Sequence, residues 1–137
     1  MEVTRTLGLD IGDKWIGVAL GDPQGILASP LTIINRTDDR ADIEAIVDIV
    51  NQNQVGRIIV GLPLSMDGSL SFQAEKVKAF TQKLSNHTEV PIEFRDERLT
   101  TVAAKRLMQT VRKTRKTRDD AVAAALILQS FLDELPS

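Results

Sequence analysis

The first apolar run of the chain reads Leu7-Gly8-Leu9-Asp10-Ile11-Gly12, with one acidic residue inside it. Side chains alternate along a strand, so the apolar residues are predicted to share one face and Asp10 to lie on the other. A carboxylate in a core strand loses hydration, and a bound cation or a fixed hydrogen-bond donor usually compensates it. The flanking glycines would leave room for a large ligand beside Asp10. The competing interpretation is a strand-end Asp that caps the turn at Gly12-Asp13-Lys14.

Composition limits the chemistry that this chain can perform. Of its 137 residues, 42% are hydrophobic and 26% are charged, which predicts one compact domain spanning residues 1–137. There is no Cys, so disulfides, thiol nucleophiles and cysteine zinc sites are excluded. His87 is the only His and falls in a polar loop, so carboxylates, Lys, Arg or hydroxyls are expected to carry any catalysis. No segment reaches the length of a membrane span and no signal peptide is apparent, which predicts a cytoplasmic protein without membrane contact.

Basic residues concentrate in one segment although the formal net charge is -2. The segment from residue 105 to residue 118 contains no acid and seven basic residues: Lys105, Arg106, Arg112, Lys113, Arg115, Lys116 and Arg118. Such a run can neutralise nucleic-acid phosphates, or it can be a solvated connection between helices. Aromatic residues make up only 4% of the chain, so binding to backbone and shape is expected rather than base stacking.

Hydrophobic periodicity predicts five strands, at Thr4–Ile11, Trp15–Gly21, Ile26–Ile34, Arg57–Gly61 and Val90–Arg95. The third strand is expected to be broken at Pro30, and Gly56 is expected to end the connection that precedes the fourth. Helices are predicted from Asp38 or Asp39, from about Ser71 to Leu84, from Thr100 or Thr101, and over Asp119–Leu135. Three meandering strands followed by helix, strand, helix, strand and two helices is the element order of the ribonuclease H-like fold. The predicted class is therefore α/β, with a five-stranded mixed sheet flanked by helices.

Nucleases of this fold cluster carboxylates from distant parts of the chain, and three acids fall at suitable places. Asp10 lies on the first strand, Glu97 just past the fifth, and Asp120 in the first turn of the last helix. Each has an alternative role, since Glu97 could be an exposed ion-pairing residue and Asp120 could cap its helix. Asp119 is a rival to Asp120, and adjacent helical residues point about 100° apart, so both cannot easily face one ion.

Four ordered motifs resemble the YqgF (RuvX) family over essentially the whole chain. They are Gly8–Gly12 with Ile16-Gly17-Val18-Ala19, Gly61-Leu62-Pro63 with Asp67-Gly68, Asp96–Thr101, and Asp120 before Ile127-Leu128-Gln129. The family has a ribonuclease H-like fold. It was long regarded as a group of Holliday junction resolvases and is now associated with maturation of the 5′ end of precursor 16S ribosomal RNA. The chain departs from the family pattern at Trp15, where Arg or Lys is common, and at Asp119, where an aliphatic residue is usual.

The resemblance implies that Asp10, Glu97 and Asp120 are catalytic and hold Mg²⁺ or Mn²⁺ for phosphodiester hydrolysis. Asp10 would bridge two ions, Glu97 would hold one and orient water, and Asp120 would complete the other site. The products would carry 5′-phosphate and 3′-hydroxyl ends, and metal occupancy would depend on the substrate phosphate. The expected phosphate contacts are Lys14, Lys113, Arg115, Lys116 and Arg118.

The partner implied by the family is precursor ribosomal RNA in a pre-ribosomal particle, bound by a monomer or weak homodimer. Gly61-Leu62-Pro63 and Asp67-Gly68 could form a lip beside the site, although an ordinary strand-to-helix turn is the more frequent use of such residues. Three other functions stay open: a resolvase of four-way DNA junctions, a phosphotransferase related to the sugar kinase and actin group, and a non-catalytic RNA-binding module.

Overall fold

A computed structural model describes residues 4–100 and 120–135 of the chain. The strands in these residues are β1 (Arg5–Ile11), β2 (Trp15–Gly21), β3 (Ala28–Asn35), β4 (Val55–Leu62) and β5 (Ile92–Asp96). The helices are α1 (Asp39–Gln52), α2 (Phe72–Ser85) and α3 (Asp120–Leu132), and a 3-10 turn spans Glu97–Leu99. In this described part of the chain, no helix has the length and apolar character needed to cross a membrane.

The strands form one mixed sheet in the order β3-β2-β1-β4-β5. Strands β1 to β3 are an antiparallel meander, whereas β4 and β5 run parallel to β1. This confirms the predicted α/β class with a five-stranded mixed sheet. Because β1, β4 and β5 are parallel, they end at the same side of the sheet, at Ile11, Leu62 and Asp96. We call this side the carboxyl edge.

One face of the sheet, the aliphatic face, is covered by α1 and α2 through large apolar side chains. Leu7 and Leu9 of β1 point to this face as predicted, and both are fully buried. They share one core with Ile46 of α1 and Leu84 of α2, at the helical positions predicted to face inward. Full burial of one such side chain is worth about 1.5–3 kcal/mol, so this face supplies much of the driving force for folding.

The opposite face, the small-residue face, is covered by α3 at very short range. A methyl group added to Gly8 would lie 2.8 Å from Leu128 Cβ and 3.0 Å from the Ala124 carbonyl oxygen. Ala19 and Ala124 are fully buried in the same contact. The expectation that Gly8 leaves space for a ligand is therefore wrong, because the backbone of α3 occupies that space.

Helix α3 runs antiparallel to β1. Ala124 and Leu128 lie over Gly8, whereas Leu132 lies 3.6 Å from a methyl placed on Gly21, next to Thr6 near the start of β1. The beginning of α3 is therefore directed toward the carboxyl edge. Asp120, the first residue of the helix, stands one helical turn ahead of Ala124, about 5–6 Å along the axis.

The starts of α1 and α2 follow from their capping residues. The side chain of Asp38 accepts a hydrogen bond from the Ala41 amide at 2.9 Å, so Asp38 rather than Asp39 is the cap of α1. Ser71 does the same for α2, accepting from the Ala74 amide at 3.0 Å. Each cap satisfies one of the amides that the first helical turn leaves unpaired.

Strand β3 continues through Pro30, so the predicted break there is wrong. Pro30 pairs with Ala19 and Thr32 pairs with Val18, which leaves Leu31 as an extra residue in the ladder. Because β3 is at the edge of the sheet, a missing proline N–H and one bulged residue cost few hydrogen bonds.

The connection from α1 to β4 also differs from the prediction. The backbone turns at Gln54, with φ 54, whereas Gly56 lies inside β4. A methyl group on Gly56 would lie 2.6 Å from Thr4 Cβ, so this glycine allows close approach of two chain segments. The helix predicted to begin at Thr100 or Thr101 lies outside the described residues, except that Thr100 follows the 3-10 turn.

Candidate nuclease site at the carboxyl edge

Asp10 lies on the small-residue face, one residue before β1 ends. Its neighbours Leu9 and Ile11 are buried in the core of the aliphatic face, while Asp10 itself is half-buried. Across the sheet it pairs with Gly17 of β2, which has no side chain to cover the carboxylate. The predicted alternation is therefore confirmed, and Asp10 is directed to the face and the edge where α3 begins.

Glu97 lies on the same face as Asp10, but it comes from the chain after β5, at one end of the strand order. It follows β5 directly as the first residue of the 3-10 turn, and its side chain lies over Gly61 of β4. A methyl group on Gly61 would lie 3.3 Å from Glu97 Cγ and 3.4 Å from Glu97 Cδ. Because Gly61 has no side chain, the Glu97 side chain can lie over β4. Strand β4 is between β1 and β5 in the strand order.

The third predicted acid is Asp120. The helix that it begins is described, but its side chain lies outside the described part, as does Asp119. Two contacts nevertheless fix where α3 lies: Ala124 covers Gly8, and Ile127 Cδ1 lies 2.6 Å from a methyl on Gly61. The backbone of α3 thus lies against β1 at Gly8, and the Ile127 side chain of α3 reaches β4 at Gly61, where Glu97 also lies.

The donor set at this edge suits a hard cation. Carboxylate oxygens are the ligands that Mg²⁺ and Mn²⁺ prefer. The absence of a side chain at Gly61 leaves room for the Glu97 carboxylate beside β4. Among the side chains described here, no three acidic or His residues form a ligand cluster. A complete set at this edge would need the Asp120 carboxylate in addition to Asp10 and Glu97.

The predicted phosphate contacts divide into two groups. Lys14 is exposed in the turn between β1 and β2, at the carboxyl edge and four residues after Asp10. The other four, Lys113, Arg115, Lys116 and Arg118, lie outside the described residues. Lys14 is therefore the one predicted phosphate contact whose position is described.

Arg36 supports the turn that follows Asp10, a role that the sequence did not reveal. Its Nη1 donates to the Gly12 carbonyl at 2.9 Å, and its Nε donates to buried Asp42 at 2.7 Å. The Arg36 amide also donates to the Lys14 carbonyl at 2.8 Å. Arg36 thus ties the β1–β2 turn to the end of β3 and the start of α1, and such charge-assisted bonds are stronger than neutral ones.

A cleft of about 330 Å³ opens at the same edge on the aliphatic face. Its charged lining residues are paired with one another, as Lys76 with Asp13 at 3.4 Å and Lys83 with Asp39 at 2.8 Å. The hydrogen bond from Lys83 and the charge of Arg36 hold the pKa of Asp39 below its usual value. We assign these pairs to the joining of α1, α2 and the β1–β2 turn.

The loop between β4 and α2 forms a compact turn rather than an open connection. The Gly68 amide donates to the Ser65 carbonyl at 2.8 Å, and the Ser69 amide donates to Asp67 Oδ1 at 2.9 Å. Hydrogen bonds from Ser69 are the main cause that lowers the pKa of Asp67. Arg98 joins this loop to the 3-10 turn, so the loop lies beside Glu97, and the lip and turn interpretations of these residues are compatible.

Relatives of this chain have names that refer to one function. A protein of Dehalococcoides mccartyi is 53% identical over 125 residues, which cover 90% of this chain and 94% of that protein. A protein of Thermoanaerobacter pseudethanolicus is 47% identical over 133 residues, with coverage of 94% and 96%. Both have the curated name "Putative pre-16S rRNA nuclease".

Solved structures show the fold at much lower sequence identity. RuvC of Thermus thermophilus, in complex with a Holliday junction substrate, matches with a TM-score of 0.67 at 10% identity, covering 93% of this chain and 91% of that one. The fowlpox virus resolvase with its Holliday junction DNA matches with a TM-score of 0.55 at 12% identity, covering 95% and 97%. The chain therefore has the ribonuclease H-like fold that the element order predicted.

The family comparison agrees with the four motifs found in the sequence. The model of the RuvX family, described as Holliday junction resolvase, matches residues 4–134, which is nearly the whole chain. This chain belongs to the RuvX family, and the two relatives described above have curated names that refer to a nuclease.

Proposed function

We propose that this chain is a metal-dependent endonuclease that acts in 5′-end maturation of precursor 16S ribosomal RNA. The observation that carries the proposal is the approach of Asp10 and the Glu97 side chain to one face and one edge of the sheet, where α3 begins. The names of relatives that are 53% and 47% identical support the substrate. We expect the activity in the cytoplasm, where bacterial pre-ribosomal particles assemble.

Asp10, Glu97 and Asp120 are the proposed metal ligands and catalytic acids. Mg²⁺ or Mn²⁺ bound there would supply the positive charge that activates water and stabilises the leaving oxygen. Asp10 belongs to β1, which is paired with β2 on one side and with β4 on the other, and such a strand positions a catalytic side chain better than a loop does. Asp120 is the first residue of α3, and a helix N-terminus stabilises nearby negative charge, which makes this position suitable for a metal ligand.

Cationic residues are proposed to hold the substrate backbone. Lys14 is exposed beside the site, and Lys113, Arg115, Lys116 and Arg118 belong to the basic segment just ahead of Asp120. Each phosphate contact should release counterions and make RNA binding dependent on salt. Neutralising Lys14 should therefore weaken binding and lower the salt dependence, with little effect on the rate at saturation.

The direct experiment is cleavage of a precursor RNA by wild type and Asp10→Asn, with Mg²⁺, with Mn²⁺ or with a chelator. We expect cleavage by the wild type with either ion, none with the chelator, and a loss of about 10³-fold in Asp10→Asn, because metal-stabilised charge is worth several kcal/mol. Asp48→Asn is the matched control, since Asp48 is exposed on α1. Wild-type rates in Asp10→Asn, or cleavage that survives the chelator, would refute the proposal.

Resolution of four-way DNA junctions is the second candidate, favoured by the description of the matching family. It would use the same acids but requires two sites presented by a dimer. Precursor RNA and a DNA junction should therefore be tested side by side, with the oligomeric state measured under the same conditions. Junction cutting by a dimer without RNA cleavage would reverse the order of the two candidates.

A further inference from the structure

Arg98 follows Glu97 directly inside the Asp96–Thr101 motif, and the proposed chemistry assigns it no role. Its Nε lies 3.1 Å and 3.0 Å from the two carboxylate oxygens of Asp96, and its Nη2 lies 2.7 Å from Asp96 Oδ2. The same carboxylate accepts the Arg98 backbone amide at 2.9 Å, as the cap of the 3-10 turn. The two residues that flank Glu97 in the sequence are thus joined by side chain and backbone.

The guanidinium nitrogen of Arg98 that does not contact Asp96 lies against the loop between β4 and α2. Arg98 Nη1 donates to the Met66 carbonyl at 3.1 Å, across 32 positions of sequence. Gly68, with φ 87, turns the loop against the guanidinium, and a methyl group there would lie 3.5 Å from both Nη atoms. Arg98 therefore joins the loop after β4 to the turn after β5.

These contacts close a ring of residues that includes Glu97. Leu62 of β4 pairs with Asp96 of β5 on one side of the ring, and Arg98 bonded to Met66 closes the other side. Gly61, one residue before Leu62, lies under Glu97 Cγ and Cδ. The turn itself is short. Among the described residues, its backbone bond runs from the Thr100 amide to the Glu97 carbonyl at 3.2 Å, so contacts outside the turn also determine its geometry.

We propose that Arg98 is a positioning residue, which holds the 3-10 turn so that the Glu97 carboxylate stays over Gly61 at the carboxyl edge. This inference rests on the proposed nuclease function, because it assigns Arg98 a role in that same site. A Lys could not replace the arrangement, since only the planar guanidinium binds a carboxylate through two parallel bonds and still reaches a third acceptor. An arginine side chain stays protonated at any working pH, so the cation is always present.

Positioning can be separated from fold stability in this case. The side chains of Arg98 and Asp96 are 38% and 21% exposed, and exposed ion pairs contribute little to the free energy of unfolding. We therefore expect Arg98→Ala and Arg98→Lys to melt within a few degrees of the wild type. The matched control is Arg40→Ala, which removes an exposed pair with Glu44 on α1, away from the site.

The first readout needs no catalysis. Glu97 Cγ lies 3.3 Å from the Cβ position of Gly61, so a nuclear Overhauser contact between Glu97 Hγ and Gly61 Hα is expected in the wild type. This contact should weaken strongly in Arg98→Ala, weaken less in Arg98→Lys, and persist in Arg40→Ala. Hydrogen exchange at Gly68 and Ser69 should rise in the same order, because the loop loses its anchor.

The second readout is the kinetics of RNA cleavage. Displacement of a catalytic group by about 1 Å can cost about 10²-fold in rate, so kcat should fall by roughly that factor in Arg98→Ala while KM changes little. Arg98→Lys should recover part of the loss, and Arg40→Ala should equal the wild type.

Three outcomes decide the matter. An unchanged Glu97–Gly61 contact in Arg98→Ala refutes positioning whatever the rates are. A rise in KM with a reduced salt dependence would instead show that Arg98 binds a substrate phosphate directly, which also overturns the inference. Absence of cleavage by the wild type would refute the proposed function, and the magnetic resonance contact would still decide whether Arg98 positions Glu97.

Discussion

The two faces of the sheet are built from different residues, and the difference separates stability from function. On the aliphatic face, α1 and α2 are held by large buried side chains such as Leu9, Ile46 and Leu84. On the small-residue face, Gly8, Ala19 and Ala124 line the closest contact with α3. The large side chains buried on this face are fewer: Ile59, Ile127, Leu128 and Leu132. Small residues bring the helix backbone close to the sheet, and its beginning therefore arrives beside Asp10 and Glu97.

The comparison predicts where damage should appear. Truncation on the aliphatic face should reduce the free energy of unfolding, because burial of large side chains is the main source of stability there. Additions on the small-residue face should displace α3 or the acids, because no empty volume separates helix from sheet.

Ile58→Ala should cause the largest loss of stability, about 2–5 kcal/mol, because it removes a fully buried side chain from the aliphatic face. Urea unfolding of this variant measures the effect. Ile26→Ala is the matched control, since Ile26 is 60% exposed and should change stability by less than about 0.5 kcal/mol. Equal effects from the two substitutions would contradict the importance of the aliphatic core.

Gly8→Ala should destabilise by about 1–3 kcal/mol, because the new methyl would lie 2.8 Å from Leu128 Cβ and α3 would have to move. Gly21→Ala is its control on the same face. A methyl there meets Thr6 and Leu132 at 3.4 Å and 3.6 Å, which are ordinary contact distances. If Gly8→Ala unfolded at the same urea concentration as the wild type, the close packing of α3 on β1 would be disproved.

Gly61→Ala should affect the site more than the fold. The methyl would press on Glu97 Cγ at 3.3 Å, and a shift of a few tenths of an ångström should lower the cleavage rate about tenfold. It would also meet Ile127 Cδ1 at 2.6 Å, the flexible end of a side chain. Adding Ile127→Val to Gly61→Ala removes that atom, so stability should return while cleavage stays low; recovery of both would show that Glu97 is not displaced.

The smallest expected effect concerns the ion pair between Asp39 of α1 and Lys83 of α2. This pair should make the free energy of unfolding depend on pH in the acid range. The hydrogen bond from Lys83 lowers the pKa of Asp39 below 3.8, its value in the unfolded chain. A lowered folded pKa means that this contribution is complete above pH 3.8 and is lost as the pH falls through the lower folded value. The Asp39 side chain is 39% exposed, so the contribution should be below about 1 kcal/mol.

Asp39→Asn should therefore lower stability slightly at neutral pH and flatten its decline below pH 3.8. Thermal unfolding between neutral and acid pH measures both effects. High salt should reduce the difference between variant and wild type, because an exposed pair is screened. A variant whose stability falls in acid as steeply as that of the wild type would exclude Asp39 as a source of this dependence.

Much of the fold could be predicted from local patterns. Alternation in β1 assigned Leu9 and Asp10 to opposite faces, and helical spacing assigned Ile46 and Leu84 to the core, because periodicity alone decides which side chains share a face. The order of elements then gave the fold class. Asp38 and Ser71 were recognisable because capping depends on residues that are close in sequence.

The errors concern contacts between distant parts of the chain. A glycine beside an acid indicates open space in a single strand, and only the packing of α3 shows that Ala124 and Leu128 fill the space over Gly8. The bond between Arg98 and Met66 spans 32 positions and has no local pattern, although the spacing of Asp96 and Arg98 around Glu97 was a usable sign of a capped turn. Arg36 gave no such sign, because its acceptor at Gly12 depends on how β1 and β3 are arranged.

The central claim is that acids from separate parts of the chain share one metal site at the carboxyl edge. The most direct measurement is paramagnetic broadening of amide resonances by Mn²⁺, with a short RNA present to supply the substrate phosphate. The account predicts that residues near Asp10, Gly61, Glu97 and the start of α3 broaden together, and that Asp10→Asn abolishes the effect at all of them. Broadening confined to one of these segments, or centred on the cleft at Asp13 and Asp39, would contradict it.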